Sequence, residues 1–291
     1  MKILITGGTG FIGRNLKERF SKIYETHAPT SSELNLLCEK TVSEYIRKHN
    51  FDVVIHTATW NATKTSSKDL SLVLHNNLKM FFNLVRCSDA YGKMIYYGSG
   101  TEFDRKHWIP KMSEDYFDTH MPADDYGFSK YIMTKYTADN IYNLRLFGIF
   151  GKYEDWEIRF ISNACCKALF DLPITIKQNV LFDYIYIEDL LNITQWFIEH
   201  DAAHRCYNVC RGEAYELVTL AKMVLAAADK ELDIVIAKDG LGTELSGDNS
   251  KLLRELRGYE FYSMKESIAQ LYVWYSGQAK YIEKEKLLVD K

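Results

Sequence analysis

Met1-Lys-Ile-Leu-Ile-Thr-Gly-Gly-Thr-Gly-Phe-Ile-Gly13 opens the chain. The apolar run Ile3 to Ile5 leads into closely spaced glycines and then into an amphipathic pattern. Strand, glycines and helix in that order are what a dinucleotide-binding turn requires. Gly7 or Gly8 permits the tight turn after the strand. Gly10 has no side chain, so a pyrophosphate can approach the backbone, and Gly13 lets the helix press against the sheet. The first helical turn then offers free N–H groups to the phosphates. Gly7, Thr9, Gly10, Phe11, Ile12, Gly13 and Arg14 are the candidate cofactor contacts of this turn.

Outward from that turn, strands alternate with helices. Val53–His56, Met94–Tyr97 and Ile141–Phe147 read as buried strands. Helical patterns cover Thr41–His49, Asp69–Ala90 and about Asp124–Asp139. This alternation predicts an α/β fold with a doubly wound parallel sheet, whose ligands bind at the carboxyl ends of the strands. Gly7–Gly13, Thr57-Ala58-Thr59 and Gly98–Thr101 then share one rim. The second half is less regular. Helices are expected at Glu154–Leu169, Asp189–Glu199, Leu217–Ala228 and Met264–Tyr275, and a strand at Asp183–Ile187. We read residues 1–150 as the dinucleotide-binding domain and 151–291 as mainly a small C-terminal substrate-binding lobe. Segments around 180–210 return to the sheet.

With 291 residues, 47% of them hydrophobic and 26% charged, the chain can bury a full α/β core. A net charge of −3 gives no reason to expect nucleic acid or an anionic membrane as a partner. No secretory leader pattern and no membrane-length apolar run are visible, so a cytoplasmic protein is expected. The six cysteines form no C-x-x-C pair and lack a His at metal-ligand spacing, so neither a metal nor a disulfide is expected.

Tyr126-Gly-Phe-Ser-Lys130 sets a phenol and an ammonium four residues apart on one helix face. A free phenol has a pKa of about 10, and a neighbouring cation favours its ionised form. The pair follows Ser99 by 27 residues. A hydroxyl at that strand end could hold a substrate oxygen beside the tyrosine.

Together these features resemble the extended short-chain dehydrogenase/reductase family, also called the NAD-dependent epimerase/dehydratase family. The likeness runs through Thr6–Gly13, Tyr-Tyr-Gly-Ser99-Gly-Thr, Tyr126 with Lys130, Leu144-Arg145-Leu146-Phe147, Asp183–Asp189 and Tyr207-Asn208-Val209. Ser32–Leu37 and the stretch from Asp248 to Tyr275 look most like the GDP-L-fucose synthase group of nucleotide-sugar 4-reductases. The resemblance implies Ser99, Tyr126 and Lys130 as catalytic residues, with Thr101 beside them. It adds Ser31, Thr57, Ala58, Thr59 and Asn77 to the cofactor contacts, and implies a nucleotide-diphosphate sugar substrate. It also implies a homodimer built on the helices Asp69–Ala90 and Asp124–Asp139.

Four departures refine that expectation. Thr101 stands where dehydratases of the family carry a Glu and fucose synthases a Cys. Glu102 lies one residue further on, where its side chain should turn away. The stretch Glu154–Phe160 has no His, which argues against epimerisation at C-3 and C-5. Gly148 replaces a substrate-binding Asn, and Phe182 an Arg. The substrate contacts are therefore read as Ser99, Gly100, Thr101, Phe182 and Arg159, with Lys177 and Arg211 as further cations for the diphosphate.

The loop Ala28-Pro29-Thr30-Ser31-Ser32 has no acid before Glu33, which favours NADP over NAD, with Arg14 in reach of a 2′-phosphate. Asp52 could instead face the adenine. Three functions fit: a 4-ketoreductase, a 4-epimerase retaining tightly bound NAD, and a non-catalytic dinucleotide-binding sensor.

Overall fold

A computed structural model describes residues 1–60 and 68–288. In the first half β1 (Lys2–Thr6), α1 (Phe11–Phe20), β2 (Glu25–His27), α2 (Glu39–His49) and β3 (Phe51–His56) are followed by α3 (Val73–Val85), β4 (Tyr91–Ser99), α4 (Asp125–Lys135) and β5 (Ile141–Leu146). Then come β6 (Gly148–Phe150), α5 (Phe160–Leu169), β7 (Ile174–Asn179), β8 (Leu181–Tyr186), α6 (Ile187–Glu199) and β9 (Cys206–Val209). The chain continues through β10 (Ala214–Glu216), α7 (Leu217–Ala228), β11 (Ile234–Leu241), α8 (Ser250–Glu255) and α9 (Met264–Gln278).

Among the described residues, six strands form a sheet in the order β2-β1-β3-β4-β5-β9, all neighbours parallel. The order reverses between β1 and β3, so this is the doubly wound Rossmann arrangement. Its inner strands are buried on both faces. Ile3, Ile5, Val53, Ile55 and Ile95 enter one core. Leu4, Val54, Met94 and Tyr96, the residues between them, enter the other. Burial on both faces is why these strands read as unbroken apolar runs rather than alternating ones.

The C-terminal lobe joins β10-β8-β6 and β11-β7 to α5, α7 and α9. Of residues 180–210, β9 lies in the main sheet beside β5, whereas β8 pairs with β6 and β10 outside it. Among the described residues no helix is long and apolar enough to cross a membrane.

Three expected helices are shorter in the structure. The first of them is α3, which covers only Val73–Val85 of the run expected from Asp69 to Ala90, with 3₁₀ turns at Leu70–Leu72 and Ser88–Ala90. Likewise, α4 stops at Lys135, and Thr137 Oγ1 donates to the Thr134 carbonyl just beyond it. Finally, α5 begins at Phe160 rather than Glu154, because Asp155 Oδ1 accepts the Glu157 N–H at 3.1 Å and turns the chain. The pair β7–β11 was not expected, although Ile174-Thr-Ile and Ile234-Val-Ile carry the alternation of strands.

Gly277 lies exposed in α9, and a Cβ there would meet nothing within 4 Å. Gly277→Ala should therefore gain about 0.5–1 kcal/mol of helix stability. A melting temperature about 1–4 °C above wild type is expected by calorimetry, and a lower one would contradict the placement.

Candidate active site

The glycine turn is shaped by close approaches. Gly7 has φ +69°, and a Cβ there would sit 2.7 Å from the Ala58 nitrogen. A Cβ on Gly13 would sit 2.2 Å from the Gly7 carbonyl oxygen. Helix α1 can thus press against β1 and β3 only with glycine at both positions. Gly10 differs: a Cβ there would touch only the Gly7 oxygen, at 3.4 Å, and otherwise face open space. Gly10 also caps α1 without any side-chain acceptor, so the first-turn N–H groups remain available. An open cradle over unsatisfied donors fits a dinucleotide diphosphate.

Thr9 is exposed on this cradle, and Phe11 and Ile12 are half-buried against the core. The second loop is bound to the first. Thr57 Oγ1 donates to the Thr6 carbonyl at 2.6 Å, and the Ala58 N–H donates to Thr6 Oγ1 at 3.3 Å. Asn77, buried in α3, accepts the Trp60 N–H at 2.7 Å and the Thr59 hydroxyl at 3.3 Å. It holds the Thr57–Trp60 loop in place. His56 Nδ1 lies 2.9 Å from Thr6 Oγ1, and burial, helped by the Lys130 charge, pushes its pKa down to about 3.

At the cofactor end, the Arg14 guanidinium lies 3.7 Å from the Tyr153 ring centre and 3.8 Å from Glu18. One expectation there changes. Asp52 begins β3 and accepts the Lys2 N–H at 2.6 Å, at the strand end opposite the rim, so it does not face an adenine there. Ser31 is exposed in its loop. The neighbouring Thr30 is held by Glu33, whose carboxylate accepts both the Thr30 N–H and its hydroxyl.

At the end of β4, Ser99 Oγ accepts the Thr101 hydroxyl at 3.0 Å, and its side chain faces the Tyr126 phenol. Helix α4 brings the phenol there because Asp124 caps it and Gly127 lets it close on the strand. A Cβ at Gly127 would sit 2.6 Å from the Thr101 carbonyl oxygen. Lys130 Nζ donates to the Tyr97 carbonyl at 2.8 Å and lies 5.9 Å from the Tyr126 ring centre. Burial pushes the Lys130 ammonium down to about 8, against the opposing charge of Glu102. Burial also raises the Tyr126 phenol, and the Arg159 guanidinium opposes that rise. Ser99, Tyr126 and Lys130 therefore meet at one point on the rim, with Thr101 alongside. Gly100 packs against the Phe147 ring.

The departures at Gly148 and Phe182 are one packing event. A Cβ at Gly148 would lie 2.7 Å from both the Phe182 ring and the Asp183 carbonyl oxygen. The Phe182 ring stacks on Tyr184 with centroids 4.6 Å apart, and it occupies the space a side chain at 148 would need. Arg159 is exposed at the start of α5, and its guanidinium takes no hydrogen-bond or ion-pair partner among the described residues. Arg211 is engaged elsewhere, with Glu213, the Tyr262 carbonyl and the Phe261 ring. Lys177 is exposed on β7. No group of His, Cys, Asp and Glu among the described residues could hold a metal.

Two burials were not anticipated. Glu102 is wholly buried, with its carboxylate 2.8 Å from Arg145 Nε and turned away from the rim. Glu154 is buried beside Ser162, whose hydroxyl donates to it at 2.6 Å, and burial pushes its carboxyl up to about 8. Neither burial could be read from the sequence, because each depends on a neighbouring element.

A model of the NAD dependent epimerase/dehydratase family matches residues 3–210. A dTDP-4-dehydro-6-deoxyglucose reductase of Escherichia coli is 27% identical over 285 residues, covering 84% of this chain and 87% of that protein. A solved GDP-mannoheptose C4 reductase from Campylobacter jejuni, with NADP bound, has the same fold with a TM-score of 0.80 at 18% identity, covering 94% of this chain and 98% of its own. A solved UDP-glucose 4-epimerase from Thermotoga maritima, with UDP-glucose, also has a TM-score of 0.80 at 18% identity, covering 96% of this chain and 99% of its own.

Glu154 carries a pH signature. Unfolded glutamate loses its proton near 4.5, whereas the folded chain keeps it to about 8. Its contribution to stability is therefore full below the lower value and lost as the pH rises through the higher one. Glu154→Gln should melt above wild type at about pH 8.5 and close to it at about pH 5. A difference in melting temperature that is the same at both pH values would contradict the buried, protonated carboxyl.

Proposed function

The chain belongs to the NAD dependent epimerase/dehydratase family, and from that membership we propose that it reduces the C-4 ketone of a nucleotide-linked 4-keto-6-deoxy sugar, with NADPH as the preferred reductant. The observation that carries this reading is the meeting of Ser99, Tyr126 and Lys130 on the rim that also bears the glycine cradle.

Gly7, Gly10 and Gly13 would hold the diphosphate over the first turn of α1, and the Ser31 loop the adenosine end. The dinucleotide, when bound, supplies the hydride. The chain's own part is orientation and proton supply. A reductase needs its phenol protonated at the start, and the burial that raises the Tyr126 pKa keeps the proton there. As negative charge grows on the sugar oxygen, Tyr126 gives up that proton. Ser99 is placed to donate to the same oxygen. The Lys130 ammonium and the Arg159 guanidinium then stabilise the phenolate left behind.

Thr101 is a poor acid or base, and its hydroxyl is committed to Ser99. This supports reduction without epimerisation at C-3 or C-5. The reductase from E. coli and the NADP-bound reductase of the same fold also support the reading. The solved 4-epimerase of that fold supports the competing one, in which the dinucleotide stays bound as NAD and is regenerated.

Tyr126→Phe should lower kcat by about 10²–10⁴-fold while leaving NADPH binding, followed by its fluorescence, unchanged. A fully active Tyr126→Phe enzyme would remove the phenol from the mechanism.

A further inference from the structure

Glu102 and Arg145 are both wholly buried directly beneath the strand end that carries Ser99. Glu102 Oε1 accepts the Ser99 N–H at 3.0 Å, and Oε2 accepts Arg145 Nε at 2.8 Å and the Thr134 hydroxyl at 2.9 Å. Arg145 Nη1 donates to Asn208 Oδ1 at 3.0 Å, and its guanidinium lies between the Phe103 and Phe117 rings. One carboxylate thus joins β4, β5 and α4, and through Arg145 it reaches β9. Gly98 makes room for it: a Cβ there would fall 2.2 Å from Glu102 Oε1.

Local structure does not require this charge. Ser99 and Glu102 form a capping box around a single 3₁₀ turn, but Gln serves in a capping box as well as Glu. A buried ion pair is also weak evidence of a purely stabilising role, since such pairs are often replaced by apolar side chains without loss.

Resting on the reductase reading above, we infer that Glu102 is a positioning residue of the Ser99–Tyr126–Lys130 site. Its carboxylate fixes the Ser99 backbone from beneath and supplies a negative charge to the Lys130 ammonium. The titratable and charged groups facing Glu102 are Arg145 from β5, Lys130 and Tyr126 from α4, Tyr96 from β4 and Cys206 from β9. Those facing Lys130 are Glu102, His56 from β3 and the Tyr126 ring. The Glu102 charge holds both Lys130 and Tyr126 higher than burial and their other neighbours alone would set them.

The test needs no sugar, so its failure is separate from failure of the reductase reading. In protein carrying ¹³C-labelled lysine, the Lys130 resonance titrates near pH 8, well apart from exposed lysines, and is identified by its loss in Lys130→Met. Glu102→Gln keeps an acceptor for the Ser99 N–H but removes the charge. The Lys130 midpoint is expected to fall by about half a unit or more. An unmoved midpoint in a folded Glu102→Gln protein overturns the proposal. If Glu102→Gln alone does not fold, the doubly neutral Glu102→Gln/Arg145→Met protein is titrated against Arg145→Met instead, with the same expectation. Failure of both to fold would assign the pair to the scaffold and overturn the proposal as well.

Discussion

Every strand of a parallel sheet is entered from the same end, so every carboxyl end opens onto one rim. The candidate site depends on that constraint. β1 delivers the glycine turn there, β3 delivers Thr57–Thr59, and β4 delivers Ser99. These loops must also lie close together. Closeness is set by backbone contacts at Gly7, Gly13 and Gly127, where no side chain fits. Each glycine removes a methyl group so that an element can move inward, and the result is a cradle facing a phenol across the rim.

The chemistry at that rim comes from burial opposed by a few charges. Burial alone raises the Tyr126 phenol and lowers the Lys130 ammonium, which would weaken a proton donor that must later be stabilised as an anion. Arg159 on one side and Glu102 beneath work in opposite directions on the phenol. A site arranged in this way keeps its proton before reaction and has cations at hand afterwards. Nearby, the Phe182 ring stacks on Tyr184 and fills the space beside Gly148.

Much of this was legible in the sequence because single residues have single physical reasons. A glycine with φ +69° between a strand and a helix can be read from its neighbours. So can a Tyr and a Lys four apart. What stayed hidden depends on register between distant segments. Glu102 finds Arg145 only because β4 and β5 pair with Gly98 opposite Arg145. Gly148 and Phe182 look like two substitutions until the ring is seen filling the missing side chain's place. The early start expected for α5 failed on one Asp155 turn, and the stacking of Arg14 on Tyr153 joins residues far apart in the chain. Local patterns locate the elements, whereas the partners of buried charges are set by how those elements meet.

Net reduction of a nucleotide-linked ketone, as proposed above, would be measured by loss of NADPH absorbance with a panel of GDP-, CDP-, dTDP- and UDP-linked 4-keto-6-deoxy sugars, with product formation counted by NMR. One NADPH oxidised per sugar reduced, with one nucleotide series, is the expected result. Turnover of a nucleotide sugar with no net change in NADPH, by protein that retains bound NAD, would contradict it and establish the epimerase instead.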